Sequence, residues 1–163
     1  MTDTTPSPSA ATRSATTPSA DTDTDAANAA LVRRFWTALG ERDFDGVGAF
    51  MAPDGHYVDV PVKGVEPGAY GPAETAARLR LGIAPLAGYV LHDGPIVAAG
   101  GFVVTEHSET WTWEEGVSVT LPFSSMMEVA GGRVTRWWDY FDLATLMNAA
   151  PAWWVEHISA GYK

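Results

Sequence analysis

The stretch GGRVTRWWDYFD, residues 131–142, places a carboxylate in the middle of an aromatic strand that follows a glycine turn. Side chains alternate between two faces along such a strand. One face therefore carries Thr135, Trp137, Asp139 and Phe141, and the other carries Val134, Arg136, Trp138 and Tyr140. An acid here is either exposed to water at a strand end or enclosed in an apolar pocket. Because buried acids are rare without a chemical reason, Asp139 is the first candidate for a functional group.

Two further strands present polar groups in the same alternating way. In VTEHSETW, residues 104–111, the face suited to solvent carries Glu106, Ser108 and Thr110. The other face carries Thr105, His107, Glu109 and Trp111. This second face continues back through an apolar valine, so His107 and Glu109 are predicted to point inward. In HYVDVP, residues 56–61, Tyr57 and Asp59 share a face.

Helical spacing precedes these strands, and an alternation with period two follows it. We predict a helix from an N-cap at Asp25 to Gly40, a short helix capped by Asp43, a turn at APDG, a short strand at HYVDVP, and a helix from Pro72 to about Ile83. Four strands follow, GYVLHD, PIVAAGGFVVTEHSETWTW, SVTLPFSSMMEVA and RVTRWWDYFD, and then two helices broken at Pro151. This order predicts an α+β domain. A curved antiparallel or mixed sheet, wrapped by the N-terminal helices, would form a cone with an apolar pocket at its mouth.

Composition limits the classes of function. The 163-residue chain has a net charge of −10, which disfavours binding to nucleic acid or to an anionic membrane surface. It has no cysteine, which excludes disulfides and thiolate catalysis and fits a cytoplasmic protein. Residues 1–25 are rich in Ser, Thr, Pro, Ala and Asp and are predicted to be a disordered tail. A single domain is expected over residues 26–163, with no membrane span or secretory signal.

The three strands together predict an acid–base site. The side chains that would project into one apolar cavity are Asp59, His107, Glu109 and Asp139. Carboxylates in a shared apolar space cannot all ionise, so at least one pKa is raised, leaving one proton donor and one acceptor. A His with two carboxylates is also a known metal-ligand set, but the sequence has no HxH or HxxxH pair, and a metal is ranked low. No phosphate-binding glycine motif is present, so we expect no cofactor.

The segments also carry a family resemblance over roughly residues 28–148. GRVTRWWDYFD, YVDVP and TEHSE resemble motifs of the limonene-1,2-epoxide hydrolases, within the wider SnoaL-like and NTF2-like group. The resemblance implies that one Asp deprotonates a water, a second Asp protonates the epoxide oxygen, and an Arg bridges the two. By position, Asp139 corresponds to the base and Glu109 to the acid, and His107 stands in place of the arginine. Tyr57 corresponds to a Tyr that helps to hold the water, and Asp59 replaces an Asn with the same task.

Three functions are consistent with this pattern. The first is the opening of an epoxide, by water or by an internal hydroxyl, in an apolar natural-product-like substrate, as in polyketide and polyether pathways. The second is a polyketide cyclase or isomerase that abstracts a proton next to a carbonyl. The third is a non-catalytic binding domain of the same fold. The apolar residues expected to contact the substrate are Trp111, Leu121, Phe123, Trp137 and Phe141.

The resemblance further implies a homodimer that forms through the open face of the sheet. Arg136, Trp138 and Tyr140 would give that outer face an apolar surface in need of cover.

Overall fold

The computed structural model describes residues 20–63, 68–114 and 116–161 of the chain. Over these residues the helices are α1 (Ala20–Gly40), α2 (Phe44–Phe50), α3 (Val60–Lys63), α4 (Gly71–Ile83), α5 (Leu143–Ala149) and α6 (Ala152–Gly161). The strands are β1 (Met51–Asp59), β2 (Ala69–Tyr70), β3 (Gly88–His92), β4 (Ile96–Ala99), β5 (Phe102–Thr112), β6 (Ser118–Ala130) and β7 (Arg133–Phe141).

A single mixed sheet organises the described part of the domain. Its strand order is β2–β1–β7–β6–β5–β3, and β4 pairs with β5 beside β3. β1 runs parallel to β7, and the other pairs are antiparallel. The parallel pair brings the N-terminal strand next to the strand that carries Asp139. The predicted α+β class is confirmed, with a sheet covered by helices on its inner face.

Helix α1 covers the inner face of the sheet with residues that repeat every three or four positions. Val32, Phe35, Trp36 and Leu39 are all buried. The ring of Phe35 meets the ring of Trp137 edge to face, with centroids 4.8 Å apart. This geometry suits the opposite partial charges of ring edge and ring face. The helix therefore fixes the position of the aromatic wall beside Asp139.

Arg42 ties the turn after α1 to the end of α4. Its Nη2 lies 2.5 Å from the carbonyl oxygen of Ile83, 3.0 Å from that of Ala84 and 2.9 Å from that of Leu86. Carbonyls at the end of a helix have no partner within the helix itself. The Arg42 side chain acts as a C-terminal cap on α4.

The N-terminal helix differs from the prediction. It begins at Ala20, so Asp25 lies inside α1 rather than at its N-cap. The Asp25 carboxylate instead accepts a hydrogen bond of 2.9 Å from the backbone N–H of Gly100. Residues 1–19 of the predicted tail lie outside the described residues. The predicted caps further along are present: Asp43 accepts from the backbone N–H of Gly46 at 2.9 Å, and α4 has its proline in the first turn.

Three further predictions need correction, for the strand over residues 95–113, the APDG turn and the strand at Val60. The stretch predicted as one long strand over residues 95–113 is two strands, because Gly100 and Gly101 take positive φ values of 58° and 87° and turn the chain between β4 and β5. The APDG segment is part of β1, where the register with β7 shifts between Met51 and His56. A Cβ on Gly55 would lie 2.9 Å from the carbonyl oxygen of Val134, so the close approach of β1 and β7 requires glycine there. Val60, predicted as strand, begins α3.

The outer face of the sheet carries three of the four β7 residues predicted for it, whereas Val134 is fully buried in the core because the register of β6 and β7 is irregular there. Arg136 and Tyr140 are exposed and Trp138 is half-buried, with the Arg136 guanidinium 4.6 Å above the Trp138 ring. A row of apolar side chains crosses this face from β4 to β7 in the order Val97, Val104, Met126 and Trp138. Among the helices of the described residues, none has the length and apolarity to cross a membrane.

Candidate active site

One row of polar side chains crosses the inner face of the sheet. The register pairs Asp59 on β1 with Asp139 on β7, and Asp139 with Ser125 on β6. Ser125 in turn pairs with Thr105 on β5. Directly paired residues on neighbouring strands project to the same face. Strand pairing therefore brings together two of the predicted acids, and β5 adds His107 and Glu109 on the same face.

The acids border a cavity of about 360 Å³, which is enough for a small organic molecule. Asp59, Glu109 and Asp139 line it, and most of the remaining wall is apolar. Helices α5 and α6 form one side, with contributions that include Leu146, Met147, Trp154 and Ile158. The indole N–H of Trp154 donates to the carbonyl oxygen of Gly82 at 3.0 Å, which holds α6 against the end of α4.

Asp139 is 4% exposed and has neutral hydrogen-bond donors as its direct partners. Its Oδ1 accepts from the hydroxyl of Ser125 and from the indole N–H of Trp137, the latter at 3.1 Å. Burial raises the pKa of Asp139 to about 7, although the charge of His107 and the Ser125 hydrogen bond both lower it. The negative charges of Glu109 and Asp59 add to the increase. The carboxyl group can therefore gain or lose a proton near neutral pH.

Glu109 is also buried, and it contacts two ring nitrogens on its own strand. Its Oε2 accepts from the indole N–H of Trp111 at 2.8 Å, and its Oε1 lies 3.4 Å from Nε2 of His107. Glu109 lines the cavity, whereas His107 lies behind it and is not part of the cavity wall. The His107 ring is stacked on Phe123, with centroids 5.3 Å apart and an interplanar angle of 11°. The predicted pair of His107 and Glu109 is thus present, and its imidazole lies on the side away from the cavity.

Tyr89 adds a neutral phenol on the other side of Glu109. Burial, followed by the charge of Glu109, raises the pKa of Tyr89 well above its usual value. A side-chain interaction between the Tyr89 hydroxyl and Glu109 adds to this increase. Pairing of β3 with β5 places Tyr89 opposite Trp111.

Asp59 has a different set of partners. The Tyr57 hydroxyl donates to its Oδ1 at 2.5 Å, and Oδ2 lies 3.6 Å from Nη1 of Arg78 on α4. The side chains of Arg78 and Asp59 are 10% and 14% exposed, so this ion pair lies within the cavity wall. The ring of Tyr57 stacks on Trp137 with centroids 3.9 Å apart. Tyr57 and Asp59 therefore lie on the same inner face, as their spacing predicts.

The predicted substrate contacts divide into two groups. Trp111, Phe123, Trp137 and Phe141 line the cavity. Leu121 is fully buried opposite Glu109 and is part of the core beneath the wall.

Comparison with known proteins adds the family. The family model described as "Limonene-1,2-epoxide hydrolase catalytic domain" matches residues 26–152, which is most of the chain. The protein belongs to the limonene-1,2-epoxide hydrolase family. No protein of curated function matches the sequence.

Solved structures support the fold of the epoxide hydrolase family and its relatives. An epoxide hydrolase of this type from M. tuberculosis has 26% identity and a TM-score of 0.64, over 84% of this chain and 96% of that one. An NTF2-like protein of unknown function from Burkholderia pseudomallei has 26% identity and a TM-score of 0.68, over 77% and 98%. A SnoaL-like polyketide cyclase, so described, from Shewanella putrefaciens has 19% identity and a TM-score of 0.62, over 73% and 92%. The last shows similarity of fold alone.

Sequence reasoning missed Ser125 and Arg78, among other residues around this cavity. Ser125 lies between Phe123 and Met127, which are both buried, so its place in an inward-facing alternation is the signal that could have found it. Arg78 lies three residues from buried Thr75 on α4, at the edge of the apolar stripe of that helix. No sequence pattern reveals that this edge faces Asp59.

Proposed function

We propose that this member of the limonene-1,2-epoxide hydrolase family is an acid–base enzyme that opens an epoxide. The nucleophile would be water or an internal hydroxyl, and the substrate an apolar natural-product-like molecule. The observation that carries the proposal is the convergence of three carboxylates on one apolar cavity, with the pKa of one of the two buried ones, Asp139, raised to about 7. A base with a pKa near the working pH combines availability with driving force for proton transfer.

Asp139 would take the proton of the nucleophile. Its Oδ1 is occupied by the donors of Ser125 and Trp137, and among the described residues none donates to Oδ2. Oδ2 is therefore the oxygen that would receive the proton. The two donors at Oδ1 fix the orientation of the carboxylate and stabilise its ionised form, so that the base is aligned before the nucleophile arrives.

Glu109 would give a proton to the oxygen that leaves the epoxide carbon. Its Oε1 lies 3.4 Å from Nε2 of His107, which is a long contact. Both oxygens of Asp59, by contrast, face donors, the Tyr57 hydroxyl and the Arg78 guanidinium. Asp59 then serves to hold the nucleophile side of the pocket, and Arg78 offsets its charge. Asp59 remains the alternative acid, because it borders the same cavity.

The test is a turnover assay with apolar epoxides, limonene 1,2-epoxide among them, in ¹⁸O-labelled water. Label in a diol supports hydrolysis, and an unlabelled cyclic ether supports an internal hydroxyl. Asp139→Asn and Glu109→Gln should each lower kcat/KM about a hundredfold or more, the size of an acid–base contribution. The matched control is Glu128→Gln, since Glu128 pairs with Arg136 on the outer face. If both site variants keep activity within a few-fold of wild type, the assignment is wrong.

The second candidate is a cyclase or isomerase that abstracts a proton next to a carbonyl. Arg78 favours it, because a guanidinium in the cavity wall could stabilise the negative charge of an enolate oxygen. Deuterium uptake from heavy water next to the carbonyl of a polyketide-like ketone, lost in Asp139→Asn, supports this candidate. Epoxide opening with no such exchange counts against it.

A further inference from the structure

A second cavity of about 190 Å³ lies behind His107. Helix α1, the β3–β4 connection and strand β5 line it, and it shares no residue with the lining of the substrate cavity. His107 belongs to its wall, and Glu109 belongs to the wall of the substrate cavity. The 3.4 Å contact between His107 Nε2 and Glu109 Oε1 therefore joins the two cavities.

Polar atoms around the second cavity need a partner that the described residues do not supply. Nδ1 of His107, Nε1 of Trp36 and Oγ1 of Thr105 are buried and form no hydrogen bond to any described residue. All three residues line this cavity and are 6%, 4% and 2% exposed. Burying such groups without partners costs several kcal/mol in total, at about 1–3 kcal/mol each. A cavity of this size holds about six water molecules at about 30 Å³ each, enough to satisfy all three groups.

We propose that the second cavity is a hydration site whose water accepts a hydrogen bond from Nδ1–H of His107 and exchanges this proton with solvent, separately from the substrate cavity. The solvent side of the cavity is formed by exposed residues, Arg33 and Thr37 on α1, Asp93 after β3 and Glu106 on β5. Two of these residues are acidic and one is basic. The His107 ring lies between Trp36, 4.3 Å away between centroids, and Phe123, so it cannot turn to exchange its two nitrogens.

A proton on Nδ1 decides whether His107 can pass a proton to Glu109. This role in catalysis rests on the proposed function of Glu109 as the acid. With a single proton, on Nε2, neutral His107 has none to give, because its loss would leave an imidazolate. With a second proton on Nδ1, the proton between Nε2 and Oε1 can move to Glu109 and leave a neutral imidazole. When Glu109 donates, the O–H bond to Oε1 breaks and a bond to the substrate oxygen forms. The proton that Asp139 took from the nucleophile then replaces it through the substrate cavity, and Nδ1–H is kept throughout.

The charged groups around His107 come from several elements. Glu109 and Glu106 lie on its own strand, Arg33 on α1 and Asp93 on the β3–β4 connection. Asp139 on β7 interacts with it through charge. Two acids near the ring lie inside the solvent rim, Glu109 and Asp139. Together with the hydrated cavity they would offset the cost of a buried imidazolium, which needs an acceptor for each N–H.

Nuclear magnetic resonance of ¹⁵N-histidine-labelled protein tests this inference without any substrate. The His107 signals are assigned by their loss in His107→Gln. We expect Nδ1 to be protonated at neutral pH and to exchange its proton with water. Filling the second cavity with Ile96→Phe should slow this exchange at least tenfold, and Met147→Trp, which fills the substrate cavity from α5, should not.

Two results overturn the inference. One is a deprotonated Nδ1 in wild type at neutral pH. The other is exchange that responds to Met147→Trp rather than to Ile96→Phe. Thr105→Val keeps the shape of the cavity and removes one hydroxyl, so an intermediate slowing is expected there even if Ile96→Phe fails to fold. Because no turnover is measured, these outcomes are independent of whether the protein opens epoxides.

Discussion

Asp139 and Asp59 are neighbours in the sheet register, yet their surroundings differ. Asp139 is enclosed by an indole N–H and a hydroxyl, and no guanidinium of the described residues forms an ion pair with it. Asp59 faces the Arg78 guanidinium and the Tyr57 hydroxyl and is more exposed. The chemical role of each carboxylate therefore follows from its hydrogen-bond and ion-pair partners rather than from its position on the sheet. Burial with neutral donors produces a base that titrates near neutrality. At Asp59 the guanidinium of Arg78 lies 3.6 Å from Oδ2 instead.

The largest expected effect is on stability, in Asp139→Asn. The pKa of Asp139 is raised from 3.8 to about 7, so between about pH 4 and pH 7 the folded protein keeps a proton that the unfolded chain releases. Wild-type stability should therefore fall as pH rises through this window, by up to about 4 kcal/mol. Asp139→Asn removes this titration. Urea unfolding at pH 4 and pH 8 should show a relative gain for the variant only at the higher pH.

The control for that experiment is Asp59→Asn, which removes an acid that faces a guanidinium. It should show no comparable gain at pH 8. If wild type and Asp139→Asn lose stability in parallel between the two pH values, Asp139 does not carry a proton in the folded protein near neutrality.

Ser125→Ala removes one of the two neutral donors of Asp139. The Ser125 hydroxyl stabilises the ionised form of Asp139, and a hydrogen bond to a charged group contributes about 1.5–3 kcal/mol. Its loss should raise the pKa of Asp139 by about one unit or more and move the base limb of the pH–rate profile to higher pH. Ser124→Ala, on the exposed face of the same strand, should leave the profile in place. An unmoved limb in Ser125→Ala would contradict the role given to this hydroxyl.

Arg78→Met tests the cation beside Asp59 and should have a smaller effect. Removing the guanidinium leaves Asp59 uncompensated, and a charge at this distance in a partly buried site contributes about 1 kcal/mol. We expect turnover to fall about fivefold, with partial recovery in Arg78→Lys. Arg80→Met is the matched control, because Arg80 lies on the same helix as Arg78 and pairs with exposed Asp45 on α2. Equal losses in Arg78→Met and Arg80→Met would assign the effect to the helix rather than to the site.

A substitution on the outer face should have the smallest effect on the site. We propose that two copies of the chain associate through this face. Val104→Lys places a charge in the apolar row of β4–β7, where Val97 is 65% and Val104 39% exposed. Size-exclusion chromatography at micromolar concentration should show a dimer for wild type and a monomer for the variant, with thermal stability retained. Val117→Lys, at the β5–β6 turn, should remain dimeric. A monomeric wild type would contradict the proposed association.

Strand alternation predicted the inner faces of β5 and β7, and with them His107, Glu109 and Asp139, because the period of a strand is local. The partner of Asp139 was not predictable in this way. Counting from the β6–β7 turn, where Ala130 pairs with Arg133, places Ser124 opposite Asp139. An irregularity between Glu128 and Val129 shifts the register by one residue and brings Ser125 there instead.

Arg78 and the second cavity depend on packing between elements that are distant in sequence. Arg78 reaches Asp59 because α4 lies along β1, and the second cavity exists where α1 crosses β5. Alternation and helical spacing describe one element at a time and do not specify such crossings. The sequence does not reveal the chain turn at Gly100 and Gly101, for a related reason. Strong strand-forming residues lie on both sides, and the positive φ values that turn the chain are a property of the folded hairpin.

The attachment of α6 to α4 has a kinetic consequence. The indole of Trp154 and the ring of His157 are bound to the carbonyl oxygens of Gly82 and Leu81, in the last turn of α4. A ligand that passes between these helices must separate them, and breaking two exchangeable hydrogen bonds is a far smaller barrier than unfolding the domain. The same helix bears Arg78 one turn earlier. The attachment points of α6 and the cation beside Asp59 therefore lie on one helix, about one turn apart.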